Sequence, residues 1–197
     1  MADRHADITL TREESWLRQY YFVRTAFSAA WVALAFSLAQ HSPARIAALL
    51  VVYPAWDALA NYLDMSRSGG ADENRTQVVN VGISILTTVA VIVALKLGAH
   101  GVLGVLGVFG VWAILSGLLQ LGTAVRRWKR FGAQWAMILS GAQSALAGVF
   151  FIVQGGAPMA SAIEKVAGYA AVGAVYFLIS ALWLSAGQLR SKMARTS

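Results

Sequence analysis

Within an otherwise apolar run, residues 56–67 read WDALANYLDMSR. Asp57, Asn61 and Asp64 stand at i, i+4 and i+7, so on a helix they share one face. Two carboxylates and an amide in line can hold a cation, pass a proton or pair with an arginine, and the surroundings choose among these. At about 1.5 Å per residue, Asp57 lies about 15 Å along the helix from Arg67, Asn61 about 9 Å and Asp64 about 4–5 Å. By the same measure Arg24 lies about 7–8 Å into the first apolar run and Asn80 about 5–6 Å into the third. All five residues fall in one half of a bilayer. Arginine suits a buried carboxylate, because its fork holds both oxygens and it keeps its charge when desolvated. In a structural reading, Arg24 pairs with Asp57 or Asp64 to lock the first two spans, with the amides completing the hydrogen bonds. In a functional reading, the cluster lines a cavity facing the cytoplasm that binds an ion, a proton or a small polar solute. Either reading predicts Asp57 within hydrogen-bond or water-bridge reach of Arg24, Asn61 or Asn80.

The elements that must position these residues are membrane helices. Of the 197 residues, 58% are hydrophobic and 13% charged, and the mean hydropathy is +0.60, far from the balance of a soluble domain. Crossing a hydrocarbon core of about 30 Å takes about 20 helical residues. Six apolar runs meet that length, near residues 20–40, 44–65, 77–97, 101–124, 133–154 and 166–188. They lack the period-two alternation of a membrane β-barrel, so the expected fold is an all-α, polytopic membrane protein. Residues 1–19 read as an N-terminal interfacial segment, 20–190 as one six-helix domain and 191–197 as a tail. Thr11 with Glu14 suggests a capping box in the lead-in, which brings Trp16 to headgroup level beside Tyr20 and Tyr21. No cleavable signal is expected, since the first apolar run is too long for a signal-peptide core.

The net charge of +7 is read by location. Thirteen of the sixteen basic residues fall on the side of the N-terminus, and only Arg45, Lys96 and Lys165 on the other. That asymmetry places both termini in the cytoplasm.

The chain also aligns with itself at an offset of about 57 residues, so three copies of a helical hairpin are expected. Odd spans open at Gln19, Gln77 and Gln134. Even spans align Trp56, Trp112 and Tyr176 and run out into Arg67, Arg126 and Arg190. Where the first copy has Asp57, Asn61 and Asp64, the second has Ala113, Gly117 and Gln120, and the third Phe177, Ala181 and Leu184. The polar line belongs to the first hairpin alone.

Other candidate chemistry is thinner. Without cysteine there is no disulfide, thiolate or Cys-based metal site. No nucleophile with an acid/base pair and no metal set is visible, so an enzyme is not expected, and neither is a cofactor. His41, His100 and Glu164 in loops on the outer side read first as exposed loop residues; acid sensing, and more weakly a metal site, are the lesser readings. The glycines of GVLGVLGVFG, Gly101 to Gly110, lack the strand and lysine of a phosphate loop and read as close helix packing, as do Gly141, Ala145 and Gly148. The run RRWKR, Arg126 to Arg130, reads as a topology determinant touching anionic headgroups rather than as a nucleic-acid patch.

Residues 117–158 combine Arg126, Arg127 and Trp128 in a basic loop, Trp135 opening the next span, Gly141 with Gly148 in a small-residue helix, and Pro158 at its end. This arrangement resembles the signature region of the HdeD-like family of small six-helix bacterial membrane proteins, and the likeness extends over the six-span plan. The resemblance implies an integral protein of the bacterial inner membrane in a family whose founding member is linked to acid resistance, and it brings no catalytic residues. The expected function is a membrane stress or homeostasis role with a polar intramembrane site, the alternative a small channel or transporter. Membrane lipids are the expected partners, and a homo-oligomer is left open.

Overall fold

The structure, a computed structural model, describes residues 2–38, 42–97, 104–129 and 132–196, with side chains at 12–37, 42–97, 104–129, 132–190 and Met193. His41, His100, Gly101 and Arg130 lie outside the described residues, as does the Thr11 side chain of the expected capping box. Seven helices make up the described chain: α1 (Ala2–Leu38), α2 (Pro43–Arg67), α3 (Gly70–Glu73), α4 (Arg75–Leu97), α5 (Gly104–Arg127), α6 (Gln134–Val153) and α7 (Met159–Thr196). Five of them, α2, α4, α5, α6 and α7, are long and apolar enough to cross a membrane. The described residues are all-helical, with no strand, as suits a helical membrane protein.

The expected first span, 20–40, falls in the second half of α1, which continues unbroken from the lead-in; Leu17 is already buried. At 37 and 38 residues, α1 and α7 are each about 55 Å long, well beyond a hydrocarbon core. They run antiparallel along one another, and Arg18 Nη1 donates to Gln188 Oε1 at 2.6 Å.

Each helix packs on the next along the chain, apart from the short α3, and α7 returns to α1, closing a ring. The most extensive pairings are α5 with α6, α1 with α7 and α2 with α4. The α5–α6 pair is built on glycine. A β-carbon added at Gly110 would sit 2.6 Å from the Gly148 carbonyl oxygen, and one added at Gly117 would sit 2.7 Å from that of Gly141. Such an approach supplies the dispersion contact that apolar burial cannot drive in lipid. Gly104, at φ +60°, abuts the Gly155 carbonyl, and Gly107 is buried.

In α4 the buried residues Gln77, Asn80, Ser84, Thr87, Val91 and Ala94 form one stripe, while Ile85, Leu86, Val89 and Val93 face outward. The exposed apolar side chains of α4, α5 and α6 form a lipid-facing perimeter. Inside it, one apolar cluster gathers Trp31, Leu50, Tyr53, Phe109, Trp112 and Val166. A second, at the end carrying Arg67 and Arg127, gathers Leu17, Tyr21, Met137, Phe177 and Leu184.

Candidate functional site

Between these clusters α2 turns its polar face inward. Pro43 opens the helix, and Pro54 sits buried within it, one turn before Asp57. Pro54 has no N–H for the Leu50 carbonyl, an interruption tolerated where neighbouring helices pack around it. Trp31 on α1 donates its indole N–H to the adjacent Leu49 carbonyl at 3.0 Å. Beyond the proline, Asp57, Asn61 and Asp64 are all buried, at 5%, 5% and 1% exposure.

Asp57 forms an ion pair with Arg24 of α1, through Arg24 Nη2 and Asp57 Oδ1. Its other oxygen accepts from Asn61 Nδ2 at 2.9 Å and from Ser84 Oγ at 2.8 Å. Ser84 is fixed in turn by the Trp112 indole, which donates to its hydroxyl at 3.0 Å. Arg24 donates a further hydrogen bond to the Tyr20 hydroxyl at 2.9 Å, and its guanidinium lies 4.5 Å from the Phe177 ring centroid. The expected partnership of Asp57 with Arg24 and Asn61 is thus present.

Asp64 makes a second ion pair with a different arginine. Arg127 Nη2 lies 3.0 Å from Asp64 Oδ2, Gln77 Nε2 donates to the same oxygen at 2.8 Å, and Ser68 Oγ donates to Oδ1 at 3.2 Å. Arg127 was expected among headgroups with the rest of its basic loop; instead it turns into the bundle. Trp128 stays exposed, and Arg126, also exposed, reaches Thr76 Oγ1 at 2.8 Å. The α2–α4 connection supports this end: Gly69 and Gly70 take φ +97° and +81°, values open to glycine. Asn74 bonds the Ser68 carbonyl across the turn.

The two helices meet in antiparallel register. Asp64 faces Gln77, Asp57 faces Ser84, and the intervening pair is Asn61 and Asn80. Asn80 does not join the expected set of bonds to Asp57: its buried Oδ1 has no hydrogen-bond partner among the described residues. Sequence reasoning passed over Gln77 and Ser84 as site residues. Their i, i+3, i+7 spacing with Asn80 was the available signal, the mirror of 57, 61 and 64 on an antiparallel neighbour.

All five expected residues line one cavity of about 80 Å³, room for roughly half a dozen waters. From Tyr53 to Asp64 it follows α2 for about 17 Å. Its deep end is floored by Tyr53, Trp112 and Tyr169, whose edge contacts with one another and with Phe109 and Phe151 plug the bundle beyond. Toward the basic end it reaches Thr76, Arg127 and Gln134, and Arg127 also lines an outer cavity with Glu13, Trp16, Gly69 and Asn74. Of the other sequence candidates, Glu164 is exposed, and no three His, Asp or Glu side chains cluster among the described residues. No family model, no curated protein and no solved structure matches the chain.

Proposed function

We propose that the chain is a six-span protein of the bacterial cytoplasmic membrane, with both termini in the cytoplasm and three hairpins formed by α1 with α2, α4 with α5 and α6 with α7. In keeping with the resemblance to the HdeD-like family, its role is in membrane stress or homeostasis. Its working part is the cavity around Asp57, which takes up a small polar species from the cytoplasmic side. The closed ring of helices and the clustering of Arg18, Arg67, Arg126 and Arg127 at one end support this arrangement.

One observation carries the functional reading over a purely structural lock. A lock is complete once Arg24 and Asp57 are packed together, whereas here the pair stands in the wall of a cavity lined further by Ser116, Gln120, Ser140 and Gln143. Such polar lining is costly inside a membrane and adds nothing to the pair. In this reading the chain is not an enzyme, because both carboxylates that might act as acid or base are taken up by arginines.

A small channel or transporter is the second reading, favoured by the reach of the cavity to about half the thickness of a hydrocarbon core. Conduction needs a state in which the Tyr53, Trp112 and Tyr169 floor parts. Flux into proteoliposomes under a pH gradient, for wild type and Asp57→Asn, separates the readings. A site facing a wet cavity keeps its fold in Asp57→Asn and loses its response, with flux falling at least about tenfold if it transports. A lock alone loses about 3–5 kcal/mol of stability when one partner of a buried pair goes. Unchanged stability with unchanged flux and unchanged acid tolerance of cells sinks the proposal.

A further inference from the structure

The chemistry of the occupant follows from what the cavity has already used and what it has left open. Its lining holds four charged side chains, Arg24, Asp57, Asp64 and Arg127, and they cancel in two ion pairs. Each carboxylate accepts from an arginine and two further donors, so neither has an oxygen free of partners for a cation. Burying an ion here would require breaking one of these pairs, which costs more than a small ligand returns. Two buried polar atoms of lining residues lack partners among the described residues: Asn80 Oδ1, an acceptor, and Arg24 Nε, a donor, which a small turn of either side chain presents to the cavity. Asn80 is itself 9% exposed, and it occupies the middle of the α2–α4 register, where the pairs on either side are bonded.

We propose that the open position between Asn61 and Asn80 seats a small neutral solute with at least one N–H or O–H donor for Asn80 and one acceptor for Arg24, and that cations and anions of equal size are excluded. The proposal rests on the cavity reading above and deepens it. In this proposal the solute supplies both missing hydrogen bonds, and any water in the cavity leaves as it binds.

Acetamide, acetate and acetamidinium have nearly the same shape and carry charges of zero, minus one and plus one. Each is titrated against the full chain in detergent at matched ionic strength, up to about 100 mM, while thermal unfolding is followed. Acetamide is expected to raise the melting temperature by about 3–6 °C at about ten times its dissociation constant, and the two ions are not. Asn80→Ala should abolish the acetamide shift while the variant's own melting temperature holds or rises, since an unsatisfied buried acceptor is removed. Asn80→Asp should transfer the preference to acetamidinium. An equal or larger shift with either ion, survival of the acetamide shift in Asn80→Ala, or no shift with any of the three overturns the proposal. Because the chain has no cysteine, Ser140→Cys provides a single thiol in the cavity wall. Labelling by a neutral methanethiosulfonate tests access to the cavity separately: a labelled thiol with silent acetamide refutes the ligand class alone, whereas an unreactive thiol refutes the open cavity itself.

Discussion

Two antiparallel helix pairs in this bundle are held together by opposite means. Along α5–α6, Gly110 meets Gly148 and Gly117 meets Gly141, backbone against backbone, seven residues apart on each helix. Along α2–α4, Asp64 meets Gln77 and Asp57 meets Ser84, side chain against side chain, again seven apart on each. Lipid removes the hydrophobic drive between helices, and these are the two substitutes: close approach and buried hydrogen bonding. The first leaves no room between the helices. The second borders a cavity, whose opposite wall is the inward face of α5 and α6, so the bundle has a close-packed seam and a chemically addressable one.

The sharpest break in that comparison is Arg24→Ala, which strands Asp57 in the α1–α2–α4 corner. The expected loss is about 2–3 kcal/mol in reversible unfolding from micelles, below that of a sealed lock, because Asn61 and Ser84 still donate to Asp57 and the cavity beside it admits water. Removing Asp57 as well should recover a large part of it, the coupling expected of a direct pair. Recovery of nothing would mean that Arg24 acts by packing over Phe177 instead.

On the glycine side, Gly148→Leu forces a side chain against the Gly110 carbonyl, whose oxygen would lie 2.5 Å from the new β-carbon. Overpacking of this kind costs about 1–3 kcal/mol. Because Arg24, Asn61 and Asn80 stand on α1, α2 and α4, away from this contact, acetamide binding should persist in whatever fraction folds. A stability loss accompanied by loss of binding would show that the two sides are mechanically coupled.

The smallest effect belongs to Gly82→Ala. Although Gly82 lies on α4 between Asn80 and Ser84, no atom stands within 4 Å of a β-carbon added there. Helix propensity then dominates, and unfolding should show a gain of up to about 1 kcal/mol. A loss would place Gly82 against a neighbour and extend close packing to the polar side.

How far the sequence carried depends on the kind of information each feature requires. Helices α2 and α4 to α6 follow the apolar runs to within a few residues, because the length needed to cross a bilayer is a local property. That Arg24 pairs with a carboxylate of α2 was legible, since a buried carboxylate needs a cation and Arg24 lies within the first apolar run; the choice of Asp57 over Asp64 was not. Arg127 was hidden by company. Among Arg126, Arg127 and Lys129 nothing local separates a side chain that turns inward from those that stay at the surface; that depends on the rotation of α5 against α2. Ser84 was missed for a related reason. A lone serine in an apolar helix usually bonds its own backbone, as Thr88 does with the Ser84 carbonyl at 2.8 Å, and only the register with α2 gives its hydroxyl a carboxylate. The glycine run read as uniform is used unevenly, with Gly104 and Gly110 at close approaches to α6 and the turn after it.

In the proposed arrangement the aromatic floor of Tyr53, Trp112 and Tyr169 leaves the cavity a single mouth, at the basic end. A space that communicates with one compartment equilibrates with that compartment alone. Its fractional filling is then a function of one concentration, that of the solute beside the basic end, and is indifferent to the opposite side of the membrane. With the floor closed the bundle has the properties of a gauge, and it would become a conduit only when that floor opens.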